Sequence, residues 1–268
     1  MPRKLMRGGV EARSAGARPA AGERDSAKAV VGITLGDSAG IGPEIVAAAL
    51  RSNELNRAVK YRVIGENAAS HPGTPNDASA RAARDALEDA VSLALKRELA
   101  AVVTGPISKA SMATIGFGFP GQTEFFAARC TVSDFAMLLT GGALTVALVT
   151  AHIPLCEVAR TLRTGEIVRV GHLLTKYLID RQEGVPRIAV AGLNPHAGES
   201  GMLGSEEKEI IAPAVDALRA HWTTRAIFEG PISPDTVFYR AARGMFDAVL
   251  CMYHDQGLIP LKSSQRRE

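Results

Sequence analysis

"FDAVLCMYHDQGLIPLK", residues 246–262, decides how this chain reads. From Phe246 to Tyr253 the run is apolar after Asp247, without polar alternation. That is the pattern of a strand buried on both faces, as in a parallel sheet covered by helices. The run stops at His254, Asp255, Gln256 and Gly257, so a buried strand delivers an imidazole and a carboxylate at its tip. A second apolar stretch, "LIPL" (258–261), follows, and after Lys262 only Ser263 to Glu268 remain. A buried strand needs neighbours at its edges and helices over its faces. Those last polar residues supply neither, so part of a core is expected to lie exposed as an apolar patch.

Working outward, the same motif recurs. "AVVGITLGD" (29–37), "KYRVIGE" (60–66), "AAVVTGPISK" (100–109), "LTVALVTAH" (144–152) and "PRIAVAGLNPH" (186–196) are short apolar runs that break into polar loops. Between them lie amphipathic stretches with apolar positions at helical spacing: "ASARAARDALEDAVSLALKREL", "EVARTLRTGEIVRVGHLLTKYLIDR" and "SEEKEIIAPAVDALRAHW". Strands alternating with helices predict an α/β fold, a largely parallel sheet with helices on both faces. Residues 1–28, rich in Arg, Ala and Gly, read as a flexible tail. "GDSAGIGPE" (36–44) is not a dinucleotide fingerprint; it reads equally as a tight strand-to-helix turn or a weak phosphate cradle.

Composition narrows the function. The chain has 268 residues, 46% apolar and 22% charged, with a formal net charge of +3. There is no basic stripe interleaved with aromatics, which argues against nucleic-acid binding. No apolar run is long enough to span a bilayer, and no secretory signal opens the chain. The cysteines, Cys130, Cys156 and Cys251, form no CxxC pair and read as reduced thiols of a cytoplasmic protein.

His152, His196 and His254 share one setting: each follows an apolar strand where the loop begins. In open α/β sheets ligands bind beyond the carboxyl ends of the strands. Imidazole is a common ligand of zinc and related divalent ions, and three protein ligands leave a coordination position for substrate. The same edge collects Asp37, Lys109, Asn194, Glu199 and Asp255. His71, His172 and His221 lie in a polar loop or within helical patterns and read as structural.

The stretches "GDSAGIGPEIV", "VVTGPISK", "PGQTEF", "VALVTAHIPL", "LNPHAGE", "GPISPDTVF" and "YHDQGLIPLK" together resemble the 4-hydroxythreonine-4-phosphate dehydrogenase family of vitamin B6 biosynthesis, from about residue 29 to 262. The resemblance implies a two-lobed fold like that of the isocitrate and isopropylmalate dehydrogenases, with the active-site cleft between lobes. The expected division is 29–121 and 122–268. It implies NAD(P)-dependent oxidation of 4-phosphohydroxy-L-threonine to a 3-oxo acid that decarboxylates. It further implies a divalent metal (Zn, Mg or Co) on His152, His196 and His254, in a homodimer that contributes His254 across the interface. His152 and His196 are then expected together within one chain. Substrate-binding roles fall on Gln122, Thr123 and Lys262, and catalytic ones on Lys262, Asp255 and Asp235.

Three departures stand out. Gln122 occupies the place of a family histidine, the segment after "VIGE" is short, and the family pattern runs on beyond "PLK" to a further Asn and Arg. The expectation is of a C-terminally truncated member. A paralogue oxidising another four-carbon phosphorylated hydroxy acid, or a non-catalytic remnant, are the alternatives.

Overall fold

The computed structural model describes residues 29–67 and 71–264, so the expected tail at 1–28 lies outside the described residues. The chain divides into two compact units, with the break after Cys130. That is later than the expected 121/122 division, and packing explains why. Helix α4 (Gln122–Arg129) sends Phe125, 1% exposed, into a cluster with Ala80, Ala83, Leu87 and Met112 of the first unit. Its Arg129 also grips Glu88 through Nε and Nη2.

The first unit is built on a parallel three-stranded sheet. β1 (Val30–Thr34) lies between β2 (Lys60–Ile64) and β3 (Ala101–Thr104). Helix α1 (Gly42–Arg51) begins with Pro43 in its first turn, where a missing N–H costs nothing. Helix α2 (Asp77–Leu95) is closed by a reciprocal Asn76/Ser79 capping box. Its Ala80, Ala83, Leu87, Ala90 and Val91 form the buried stripe expected of helical spacing. Short α3 (Lys109–Thr114) follows β3, capped by Ser108.

The second unit carries a five-stranded sheet in the order β4-β5-β8-β6-β7. β4 (Met137–Gly141) and β5 (Leu144–Leu148) form a hairpin across Ala143's turn; the other pairings are parallel. β6 (Arg187–Ala191) and β7 (Ile227–Ile232) flank one side of β8 (Ala248–Cys251) in the order given. Between β5 and β6 the chain makes two helices, α5 (Leu155–Thr161) and α6 (Thr164–Arg181), where the sequence pattern predicts one. The break is at Leu162, whose extended backbone drives its side chain fully into the core. Helix α7 (Ala212–Trp222) and α6 cover one face of the sheet, burying Leu174, Val215 and Leu218 against Ile188 and Leu250. Helices α8 (Pro234–Ala242) and α9 (His254–Ser264) cover the other, with Val237, Leu258 and Leu261 against Val146 and Val249.

Among the described residues, no exposed core patch lies beside β8. β8 is buried throughout, paired on both edges by β5 and β6. The stretch "LIPL" is not further unsupported strand but part of α9, and it covers the sheet from within the described residues. Ile259, 64% exposed, is its outward-facing residue.

Candidate functional site

The parallel trio β5, β8 and β6 places His152, His254 and His196 beyond neighbouring strand ends. Pairing of β5 with β8 continues past both strands: Val149 N–H donates to the Cys251 carbonyl, and Thr150 donates through N–H and Oγ1 to that of Met252. This register carries the two chains side by side to His152 and His254, whose ring centroids lie 5.8 Å apart. The two rings line a cavity of about 160 Å³ with Tyr253, Asp255 and Leu155. An imidazole that ligates at about 2.0–2.1 Å has its ring centre roughly 3 Å from the ion, so a ligating pair stands about 5–6 Å apart. The observed spacing fits a shared ion. Nδ1 of His254 is 2.7 Å from Asp255 Oδ1, which leaves Nε2 to face outward, the usual orientation of a carboxylate-backed ligand. Burial, then the Asp255 charge, pushes the Tyr253 hydroxyl up from its ordinary value. The Cys251 thiol, fully buried, is pushed up by burial and is inert as a nucleophile.

His196 lines a cavity of about 560 Å³ with Glu199, Glu207 and Lys208. Among the described residues no three His, Cys, Asp or Glu side chains come together to hold a metal. The local backbone around His196 is distinctive. After Pro195 the chain runs left-handed through His196, Ala197, Gly198, Glu199 and Ser200, with φ between 44 and 79°. A left-handed residue other than glycine costs about 1–2 kcal/mol, so such a run persists only where the surroundings hold it.

What holds it is Glu207, 5% exposed, on the π-helical turn Glu207–Ile211 that leads into α7. Its Oε1 accepts the N–H groups of Leu193 (2.7 Å) and Asn194 (2.6 Å), and Oε2 accepts the Asn194 amide at 3.0 Å. A Cβ on Gly198 would meet Glu207 Oε2 at 2.6 Å, and one on Gly192 would meet Oε1 at 3.2 Å. Neither residue's role is visible in sequence motifs alone. The signal that finds Glu207 is periodicity: it shares the buried stripe with Ile211, Val215, Leu218 and Trp222, where a carboxylate demands partners. Gln256 is a second such residue, 6% exposed. Its Oε1 accepts Met252 N–H and its Nε2 donates to the Gly192 carbonyl, both at 2.7 Å, tying the end of β8 to that of β6.

The other expected site residues separate by unit. In the second unit, Lys262 is exposed on α9 and Asp235 is exposed in the first turn of α8, bonded to Ser233 Oγ. Asp255 is exposed beside His254. In the first unit, Thr123 is exposed and Gln122 half-buried at the start of α4, where Gln122 Nε2 donates to the Gly105 carbonyl at 3.0 Å. Asp37 there is buried, its Oδ1 accepting Ala39 N–H, a turn-forming role.

Known proteins match this chain over nearly all its length. The family model described as "Pyridoxal phosphate biosynthetic protein PdxA" matches residues 26–268. A 4-hydroxythreonine-4-phosphate dehydrogenase of Desulforapulum autotrophicum is 39% identical over 277 residues, which is 87% of this chain and 80% of that protein. The enzyme of that name from Desulfosudis oleivorans is 38% identical, over 87% of this chain and 81% of its own. The crystal structure of 4-hydroxythreonine-4-phosphate dehydrogenase from Klebsiella pneumoniae superposes with a TM-score of 0.80 at 34% identity, covering 90% of this chain and 84% of that one. With strand-end histidines on a parallel sheet and this extent of match, the chain belongs to the PdxA family of pyridoxal phosphate biosynthetic proteins.

Proposed function

We propose that the chain is a 4-hydroxythreonine-4-phosphate dehydrogenase, oxidising 4-phosphohydroxy-L-threonine to a 3-oxo acid that decarboxylates, as a cytoplasmic homodimer. The observation that carries the reading is the set of strand-end histidines in a chain that belongs to this family. A divalent ion (Zn, Mg or Co) would supply Lewis-acid polarisation of the substrate hydroxyl, and NAD or NADP the hydride acceptor. His152, His196 and His254 would hold the ion, with His254 arriving from the partner subunit. Asp255 fixes the His254 ring through Nδ1. Lys262, Thr123 and Gln122 bind the phosphorylated substrate, and Asp235 and Lys262 serve proton transfer.

The test is turnover. Protein stripped with chelator and returned to Zn, Mg or Co should reduce NAD or NADP with 4-phosphohydroxythreonine only when metal is present, and His152→Ala should abolish it. A cooperatively melting protein that reduces neither NAD nor NADP with 4-phosphohydroxythreonine, whichever of the three metals is returned, would sink the reading. One observation favours a second substrate. Gln122 donates to Gly105 where the family resemblance places a histidine, and an amide cannot carry a proton charge to a phosphate near pH 7. Faster turnover of another four-carbon phosphorylated hydroxy acid in the same assay would assign the chain to a paralogue.

A further inference from the structure

The five-stranded sheet of the second unit ends on β7 at one side and on β4 at the other. Charged side chains and prolines are the usual means of keeping a free edge from pairing. β7 carries Glu229 and Pro231, whereas β4 runs from Met137 to Gly141 without a charge or a proline. We infer that the β4 edge is the seam of the homodimer: β4 of a second copy of this chain pairs with it antiparallel, about a two-fold axis at Leu139. The inference rests on the reading of the chain as a homodimer.

The register follows from which backbone groups face outward. The β4–β5 hairpin closes over Gly142 and Ala143, a two-residue turn, so Gly141 and Leu144 form its first hydrogen-bonded pair. Bonded and non-bonded pairs alternate along an antiparallel ladder. Leu139 and Met137 therefore bond to Val146 and Leu148, while Leu138 and Thr140 turn their N–H and C=O groups to the free edge. Thr140 Oγ1 lies 3.0 Å from Thr145 Oγ1, the close side-chain approach of a non-bonded pair. On the far side of β5, Val149 N–H donates to the Cys251 carbonyl, so β5 turns Ala147 and Val149 toward β8 and Val146 and Leu148 toward β4. A copy related by two-fold rotation uses both outward residues when Leu138 lies opposite Thr140 of the partner subunit. Each such pair exchanges two bonds, and Leu139 faces its own copy at the axis. The side chains suit this register. Leu138 packs toward one helix layer of its own unit and Met137 and Leu139 toward the other, so the seam is apolar near the axis and traps no charge. Val132 and Phe135, both exposed just before the strand, enlarge the apolar surface. A two-fold contact is closed, so the pairing stops at two chains.

The experiment joins sedimentation velocity of the full chain to oxidative cross-linking. For cross-linking, Cys130 and Cys156 are replaced by serine, and Cys251, fully buried, is kept. Leu139→Cys then sets two thiols opposite each other at the axis, about 4.5 Å apart between Cα atoms and within disulfide reach. Met137→Cys sets them four residues out of register, roughly 13 Å apart along the strands. Mild oxidation should join Leu139→Cys chains into a dimer that reductant releases, and leave Met137→Cys chains single. With the native cysteines, Thr140→Lys should weaken dimerisation roughly 10-fold or more, because each dimer would bury two unpaired ammonium groups at the seam. Ile227→Lys, at an exposed position on the β7 edge, should dimerise as wild type does. If the wild-type chain sediments as a monomer at every concentration, the homodimer reading falls and the inference with it. If it sediments as a dimer but Leu139→Cys cross-links no more than Met137→Cys, the homodimer reading stands and the inference alone is overturned. Should Leu139→Cys fail to fold, Thr140→Lys decides, since Thr140 is exposed. Dimerisation weakened there and not in Ile227→Lys supports the inference, and wild-type dimerisation overturns it.

Discussion

His172 shows how a single side chain acquires its chemistry from its packing. Trp222 donates its indole N–H to His172 Nδ1 at 2.9 Å, and the His221 ring centre lies 4.5 Å from that of His172. Burial, and secondarily the His221 ring, holds the His172 imidazole below its ordinary value of 6.5, against the opposing pull of Asp134. Above that value both folded and unfolded chains are neutral here and no cost arises. As pH falls through it, the unfolded chain takes up a proton that the folded chain refuses, so stability is lost toward acid. His172→Asn keeps an acceptor for Trp222 and removes the titration. Its urea midpoint should therefore drop less between pH 7.5 and 5.5 than that of wild type. Equal drops would assign the acid sensitivity to other groups.

At the scale of elements, the strand ends matter more than the strands. β5, β6 and β8 stay flush at their carboxyl ends because β5 and β8 pair on to Thr150 and Met252, while Gln256 bridges Met252 to Gly192. Replacing Gln256 by leucine would keep the volume and strip a buried N–H and a buried carbonyl of their partners. Each orphaned group costs about 1–3 kcal/mol, so Gln256→Leu should lose about 2–6 kcal/mol in denaturant unfolding. A loss under about 0.5 kcal/mol, typical of a surface change, would mean that water or a shifted backbone replaces the clamp. The elements also explain what sequence pattern overlooked. β4 is a short edge strand with a polar tip, and β7 carries Gly230 and Pro231, which weaken a strand signal.

At the scale of the whole molecule, the question is whether one chain makes a site. If His254 serves the partner subunit, two inactive variants complement each other. In a mixed dimer of His152→Ala and His254→Ala chains, the chain that keeps His152 receives an intact His254 from its partner. The other site loses both. Random mixing after unfolding and refolding together should restore about a quarter of wild-type turnover, because half the dimers are mixed and each holds one whole site. If His254 serves its own chain, as its 5.8 Å approach to His152 would allow, mixing restores nothing.

Sequence by itself determined the fold class and the edge at which the chemistry lies. Continuous apolar runs such as "FDAVLCMY" need cover on both faces, and helices between parallel strands are the local solution, so the α/β pattern and the strand-end setting of His152, His196 and His254 follow from periodicity alone. Tertiary structure decided the rest. That "LIPL" covers the sheet as helix α9, that Phe125 draws α4 into the first unit, and that Leu162 splits one helical pattern in two all depend on which distant surface each segment meets. Most of all, the left-handed turn that carries His196 is paired with a carboxylate at Glu207, beyond the reach of any local propensity. Apolar spacing is written along the chain, whereas the partner of a buried charge is known only once the chain has closed around it.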